Sequence, residues 1–164
     1  MPSHKIPTML LKRKKEGKTD YKNRLGLLKG RTPRLTVRKF NKNIIAQIIT
    51  YNPTGDIVVA EAHSKELEKF GWKNSRNNVP ASYLVGLLLS KKSKQKEAIL
   101  DVGLQKPTKG SRIYSLLKGC VDGGMQIPHD ESVLPAKERI LGKHIQGKDI
   151  EKDFNTVKEK IIKS

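Results

Sequence analysis

The sequence predicts an α/β protein. A mixed sheet opens with a three-stranded antiparallel meander, α-α-β-α follows, helices pack on the sheet, and a basic N-terminal arm and an irregular C-terminal extension flank this body. Three observations carry that prediction. Apolar residues alternate with polar ones between residues 34 and 62, interrupted by turn residues. Between residues 80 and 121 the apolar spacing lengthens to three and four. The charge is concentrated at the front: residues 1–42 hold 14 Lys and Arg against only Glu16 and Asp20, a local charge of +12.

The arm spans residues 1–30. Within it, KRKKEGKTDYKNR at 12–24 places seven cations in thirteen positions. A short helix over Asp20–Leu28 is expected, capped by Thr19 or Asp20, with Leu25 and Leu28 as its apolar stripe. Gly30 and Pro33 then break the chain.

The core domain is expected over residues 31–126. RLTVRKF at 34–40 alternates as a half-buried strand, NKN turns, and IIAQIITY at 44–51 is β-branched on both faces, as in a central strand. NPTGD is a turn, and IVVAEA at 57–62 completes the meander. Ser64 is placed to cap a short helix ending near Phe70. Pro80 sits where a first helical turn tolerates proline, and Leu84, Val85, Leu87 and Leu88 continue that helix to about Lys94. AILDVGL at 98–104 reads as a short buried strand. Ser111 opens a helix in which Ile113, Leu116, Leu117, Cys120 and Val121 share one stripe, ended by Gly123 and Gly124. Residues 127–164 form the extension, irregular except for a helix near 151–163 with Phe154, Val157 and Ile161 on one side.

Composition narrows the function. The net charge is +18 over 164 residues, with only 35% hydrophobic and 5% aromatic residues. Such a body repels itself, and a polyanion relieves the repulsion. Nucleic acid leads as partner; an anionic membrane surface is second; a basic tail kept for solubility is the plainest reading. One cysteine, Cys120, excludes an internal disulfide and a cysteine-based zinc cluster. The apolar runs are too short to span a bilayer, and MPSHKIPTMLLKRKK lacks the pattern of a signal peptide, so a cytoplasmic location is expected.

Three clusters are candidates for binding. In the arm, Lys12, Arg13, Lys14, Lys15, Lys18, Lys22 and Arg24 can neutralise phosphates, and Tyr21 offers a stacking face worth about 1–3 kcal/mol per base. Arg31 continues the charge. On the first two strands, Arg34, Arg38, Lys39, Asn41, Lys42, Asn43 and Gln47 describe a flat basic surface with amides; Arg34, Thr36 and Arg38 share a strand face expected to be exposed. A plain solvated edge would look the same. The third cluster is KPTKGSRIYS at 106–115, where Lys109, Gly110, Ser111 and Arg112 lead into a helix N-terminus. It lacks the P-loop spacing, and either a phosphate site or an ordinary serine cap accounts for it.

Catalytic patterns are thin. His4, His63, His129 and His144 show no metal-ligand spacing, and Cys120 falls on an apolar stripe. Asp56, Glu61, Asp101 and Asp122 invite a two-metal nuclease reading, but nothing in the sequence brings two of them together. Trp72 either plugs the domain edge or stacks a base.

Several segments in order resemble one family. They are KKEGKTDYKNRL, RLTVRKFNKNIIAQIITYNPTGD, AEAHSKELEKFGWK, NNVPASYLVGLLL, AILDVGL, KGSRIYSLLKGCVDGGMQIPHDESVLP and ERILGKHI. Together, over about residues 5–150, they resemble the universal large-subunit ribosomal protein eighteen family, in its archaeal form. The eukaryotic counterpart is called large-subunit ribosomal protein five. The resemblance implies a structural constituent of the large ribosomal subunit that binds 5S rRNA and anchors it to 23S rRNA in the central protuberance. Universal large-subunit ribosomal protein five and other central-protuberance proteins would be its neighbours. It implies no catalysis, no cofactor, no membrane and no small-molecule substrate. Lys12–Arg24, Arg34–Asn43 and Gly110–Arg112 would face RNA, and His129 would lie in a packed or RNA-facing loop. A nuclease-like α/β enzyme and a general basic nucleic-acid-coating protein are the competing readings.

Overall fold

A computed structural model describes residues 9–145 and 150–163. The start of the expected arm, including His4, and part of the extension, including Gly147, lie outside the described residues.

The meander forms as expected: β1 (Arg34–Lys39), β2 (Ile44–Thr50) and β3 (Ile57–His63). A fourth strand, β4 (Ile99–Asp101), is shorter than the apolar run that predicted it. The sheet order is β3-β2-β1-β4. β2 is antiparallel to β1 and β3, whereas β4 runs parallel to β1, so the sheet is mixed and open. The β2–β3 register slips between Ile48 and Ile49, and the start of β3 is exposed through Ile57, Val58 and Val59.

Strand alternation sends Leu35, Val37, Ala46, Ile48, Ala60 and Ala62 to one face, where they are buried. On that face lies α3 (Val79–Lys92), capped by Asn78, whose side chain accepts from the Ala81 amide at 2.8 Å. Nearly every residue of α3 is buried, because the sheet, α4 (Arg112–Asp122) and α6 (Ile150–Lys163) surround it. α3 and α4 approach through glycines. A Cβ on Gly119 would stand 2.1 Å from the Tyr83 carbonyl oxygen, and one on Gly86 2.1 Å from that of Leu116. The predicted stripe of α4 is buried at Ile113, Leu116, Leu117 and Cys120. Cys120 Sγ contacts the Gly86 carbonyl at 3.4 Å, and burial pushes its thiol far above the ordinary range.

The C-terminal segment joins the same core. Ile127, Ile140, Ile150, Phe154, Val157 and Ile161 belong to the buried cluster that includes the sheet residues. Phe154 packs against Tyr83 with ring centroids 5.5 Å apart. Of the stretch 126–150, expected to be irregular, the described residues 126–145 contain a 3-10 turn at Glu131–Val133 and a single helical turn, α5 (Lys137–Ile140).

Two caps differ from expectation. The segment Ser64–Phe70 is a 3-10 helix capped by His63, with Glu66 closing a capping box onto the His63 amide at 2.9 Å. Ser64 is instead buried and accepts from the Ile44 amide, tying that helix to β2. Ser111 holds the cap position of α4 but makes no side-chain cap bond.

Candidate nucleic-acid interface

The arm contains two helices. One turn, α1 (Lys12–Lys15), leads by Gly17 into α2 (Tyr21–Lys29). Asp20 caps α2 as expected, accepting from the Lys22 and Asn23 amides at 3.0 and 3.2 Å. The expected apolar stripe is only half realised: Leu25 is 59% exposed, and Leu27 and Leu28 supply what contact there is. Lys12, Arg13, Lys14, Lys15, Lys18 and Lys22 are all exposed, and Tyr21 is half-buried. Lys18 pairs with Glu16 at 2.8 Å, and Arg13 donates to Thr19 Oγ1 at 2.9 Å. Lys12, Lys14, Lys15 and Lys22 form no ion pair with a described residue.

A ladder of charges fastens the arm to the sheet. Arg24 Nη2 meets Asp56 Oδ2 at 2.8 Å. Arg34 Nη2 reaches the same oxygen at 2.7 Å, and Arg34 Nη1 reaches Asp101 Oδ2 at 2.9 Å. Arg38 donates to the Asp101 carbonyl at 2.9 Å and lies 3.5 Å from its carboxylate. Three guanidinium groups thus share two carboxylates. Arg34, expected on an exposed face, is instead 3% exposed, and Thr36 is 5% exposed. The correction has a physical cause. Parallel pairing of β4 to β1 sets Asp101 opposite Thr36, and the β2–β3 turn brings Asp56 over the same face. A buried guanidinium persists only when its hydrogen bonds and charge are answered nearby.

The same ladder disposes of the paired-carboxylate pattern. Asp56 and Asp101 do come together, but an arginine sits between them. Among the described residues no three of His, Cys, Asp and Glu gather as a metal would require. Trp72 is a plug, 3% exposed, with its indole N–H donating to the Ser75 carbonyl at 3.1 Å.

The remaining strand cluster divides. Arg31 is exposed and holds a left-handed backbone at φ 52°. Asn41 and Lys42 are exposed at the β1–β2 turn, and Arg38 and Lys39 are half-buried. Gln47 Nε2 is engaged by Glu61 at 2.6 Å, and Asn43 Oδ1 is buried without a partner.

Two separate clefts result, and they share no lining residue. The first, about 120 Å³, lies between arm and sheet and is lined by Arg13, Lys18, Asn23, Arg24, Arg34 and Arg38 among others. The second, about 470 Å³, lies at the start of α4, with Lys39, Lys109, Gly110, Ser111 and Arg112 along it. Asn77, Arg139 and His144 join the second cleft, and none of them was a binding candidate in the sequence. No local spacing links positions so far apart; only the packing of α5 beside α3 does. His129 is exposed, its Nδ1 2.7 Å from the Ile127 carbonyl oxygen.

An α/β scaffold with buried ion pairs behind it and unanswered cations in front defines a polyanion-binding protein. Its family is the one described as ribosomal large subunit proteins 60S L5 and 50S L18, whose model matches residues 8–98 and 90–130. The chain belongs to that family: it is an rRNA-binding protein of the large ribosomal subunit, in a family that is generally structural rather than enzymatic. No helix among the described residues is long and apolar enough to cross a membrane.

Proposed function

We propose that the chain binds 5S rRNA and anchors it to 23S rRNA in the central protuberance, beside universal large-subunit ribosomal protein five. The observation that carries this reading is the contrast within the arm. Arg24 is consumed in docking α2 to Asp56, while Lys12, Lys14, Lys15 and Lys22 stand exposed without acidic partners. An arm pinned at one point, on α2, and charged along the turn of α1 that precedes it is prepared to lie along a phosphate backbone. Tyr21 beside these cations supplies a ring for an unstacked base, as irregular RNA offers. Arg38 lines the cleft under the arm, and Arg31, Asn41 and Lys42 are further exposed candidates outside it. Functionally the chain divides into the arm (1–30), the core that aims it (31–126) and the C-terminal extension (127–164).

The test is competition. A 5S rRNA transcript bound by the full chain should resist displacement by tRNA and by duplex DNA at moderate salt. Equal displacement by all three would instead mark a general coating protein.

A further inference from the structure

A third groove opens on the helical side of the molecule, where α4, α5 and α6 meet around α3. About 340 Å³ in volume, it shares no lining residue with either basic cleft. Its floor is apolar: Tyr83 from α3, Ile140 from α5 and Phe154 from α6, all buried. Its rim is cationic: Lys118 from α4, Lys137 from α5 and Lys158 from α6. The helical repeat sets rim beside floor, because Lys137 and Ile140 stand three residues apart, and Phe154 and Lys158 four.

The rim is partly arranged in advance. Asp122, the one acid along the groove, has both oxygens engaged: the Tyr83 hydroxyl donates to Oδ2 at 2.8 Å, and Lys118 Nζ stands 2.8 Å from Oδ1. Burial, with Asp122 beside it, pushes the Tyr83 phenol above its ordinary range, so the hydroxyl stays a donor. Lys158 Nζ lies 5.6 Å from the centre of the Tyr83 ring. Lys137 is exposed, and neither it nor Lys158 forms an ion pair with a described residue. The groove differs in kind from the two basic clefts. Arginine, whose planar fork matches phosphate, is absent from its lining. The Tyr83 and Phe154 rings are buried against each other, centroids 5.5 Å apart, which leaves no flat face for a base. A second copy of a chain carrying +18 is repelled. What fits an apolar floor under lysines is a segment that brings an apolar side chain and carboxylates together.

We propose that this groove docks an acidic segment of a partner protein, with an apolar side chain resting on Tyr83, Ile140 and Phe154 and flanking carboxylates meeting Lys118, Lys137 and Lys158. The C-terminal segment thereby has a partner of protein rather than RNA chemistry. This docking stands apart from the 5S rRNA reading: neither requires the other.

The test is fluorescence anisotropy of the full chain with a labelled peptide, Asp-Glu-Glu-Phe-Leu-Asp-Glu-Asp, at about 150 mM salt, where loose attraction to the rest of the basic surface is screened. Exchanging Phe and Leu of the probe for Ser, at unchanged charge, should weaken binding about tenfold or more. Lys137→Glu with Lys158→Glu in the chain should do the same through like-charge repulsion, with thermal melting to verify the fold. If the double variant is unstable, Lys137→Glu alone, at an exposed position, should weaken binding several-fold. A control matched in charge, Lys65→Glu with Lys69→Glu on the 3-10 helix, should leave the affinity unchanged. Equal affinity for the Ser probe, equal affinity in a folded groove variant, or an equal loss in the control would each overturn the docking, as would no measurable binding by the intact chain. The groove variant should also bind a 5S rRNA transcript with the salt slope of the parent. A slope shallower by about 1 or more would assign the groove to RNA and overturn the protein partner.

Discussion

Arg34 is the residue on which the fold and the interface meet. Its guanidinium is buried between Asp56 and Asp101, so removing it takes a partner from two carboxylates at once, leaving Asp56 to Arg24 and the buried Asp101 to the more distant Arg38. Arg34→Ala should lose roughly 3–5 kcal/mol of stability by urea denaturation, the range for breaking a buried pair. An apolar replacement of both partners, Arg34→Met with Asp101→Leu, should recover most of that loss, because no charge is then left without water. Glu66 gives a second prediction, in pH. Burial raises its carboxyl, but the Lys92 ammonium and the His63 amide together outweigh that and lower it below 4.5. Its contribution to stability is therefore fully present above pH 4.5 and lost as pH falls through the lowered value. A Glu66→Gln variant should show a weaker acid dependence there in thermal melts. At this scale the sequence was a partial guide. Cys120 was legible, and Asp20 was one of two caps offered, because stripe position and cap chemistry are local; Trp72 was left between a plug and a stacking ring until the fold buried it. The burial of Arg34 was not, because its partners arrive from a turn and a strand far along the chain.

Among the elements, α4 was legible in its packing as well as its extent, and α3 in its extent alone. The stripe of α4 is amphipathic, so its spacing announces which side is buried. α3 is buried nearly all round, so no spacing could say which side meets the sheet and which meets α4. That choice is made by the glycine contact. Gly119→Ala would drive a methyl group against the Tyr83 carbonyl, forcing α3 and α4 apart at a cost of about 1–3 kcal/mol or more. A melting temperature unchanged from the parent would contradict the crossing described. The arm makes the opposite case: α2 has little apolar contact, and Arg24–Asp56 is its principal tether. Arg24→Gln should speed amide exchange over residues 21–29, while β1 and β2 keep their protection. Equal protection in the variant would mean that apolar contact alone holds the helix.

For the whole molecule the governing quantity is unbalanced charge. The ladder at Arg34 pairs part of the positive charge inside, while the excess of +18 is left over, in part at the arm and at the α4 cleft. Removing residues 1–29 should leave a folded body, since Asp56 keeps Arg34 as partner, but should flatten the salt dependence of rRNA binding. Loss of six phosphate contacts would shallow the slope by roughly 4–5, given about 0.7–0.9 per contact. A slope equal to that of the full chain would place the principal contacts elsewhere. The sequence by itself determined the mixed α/β class, the meander, the stripe of α4, the basic front and the family resemblance that the family model bears out, since propensity, alternation and charge are written in neighbouring residues. Tertiary structure alone decided which cations are available. Arg34 is silenced by Asp56 and Asp101, and Lys39, Lys109, Arg112 and Arg139 are gathered without an acid, because an ion's free energy depends on which distant charges the fold places within a few ångströms of it.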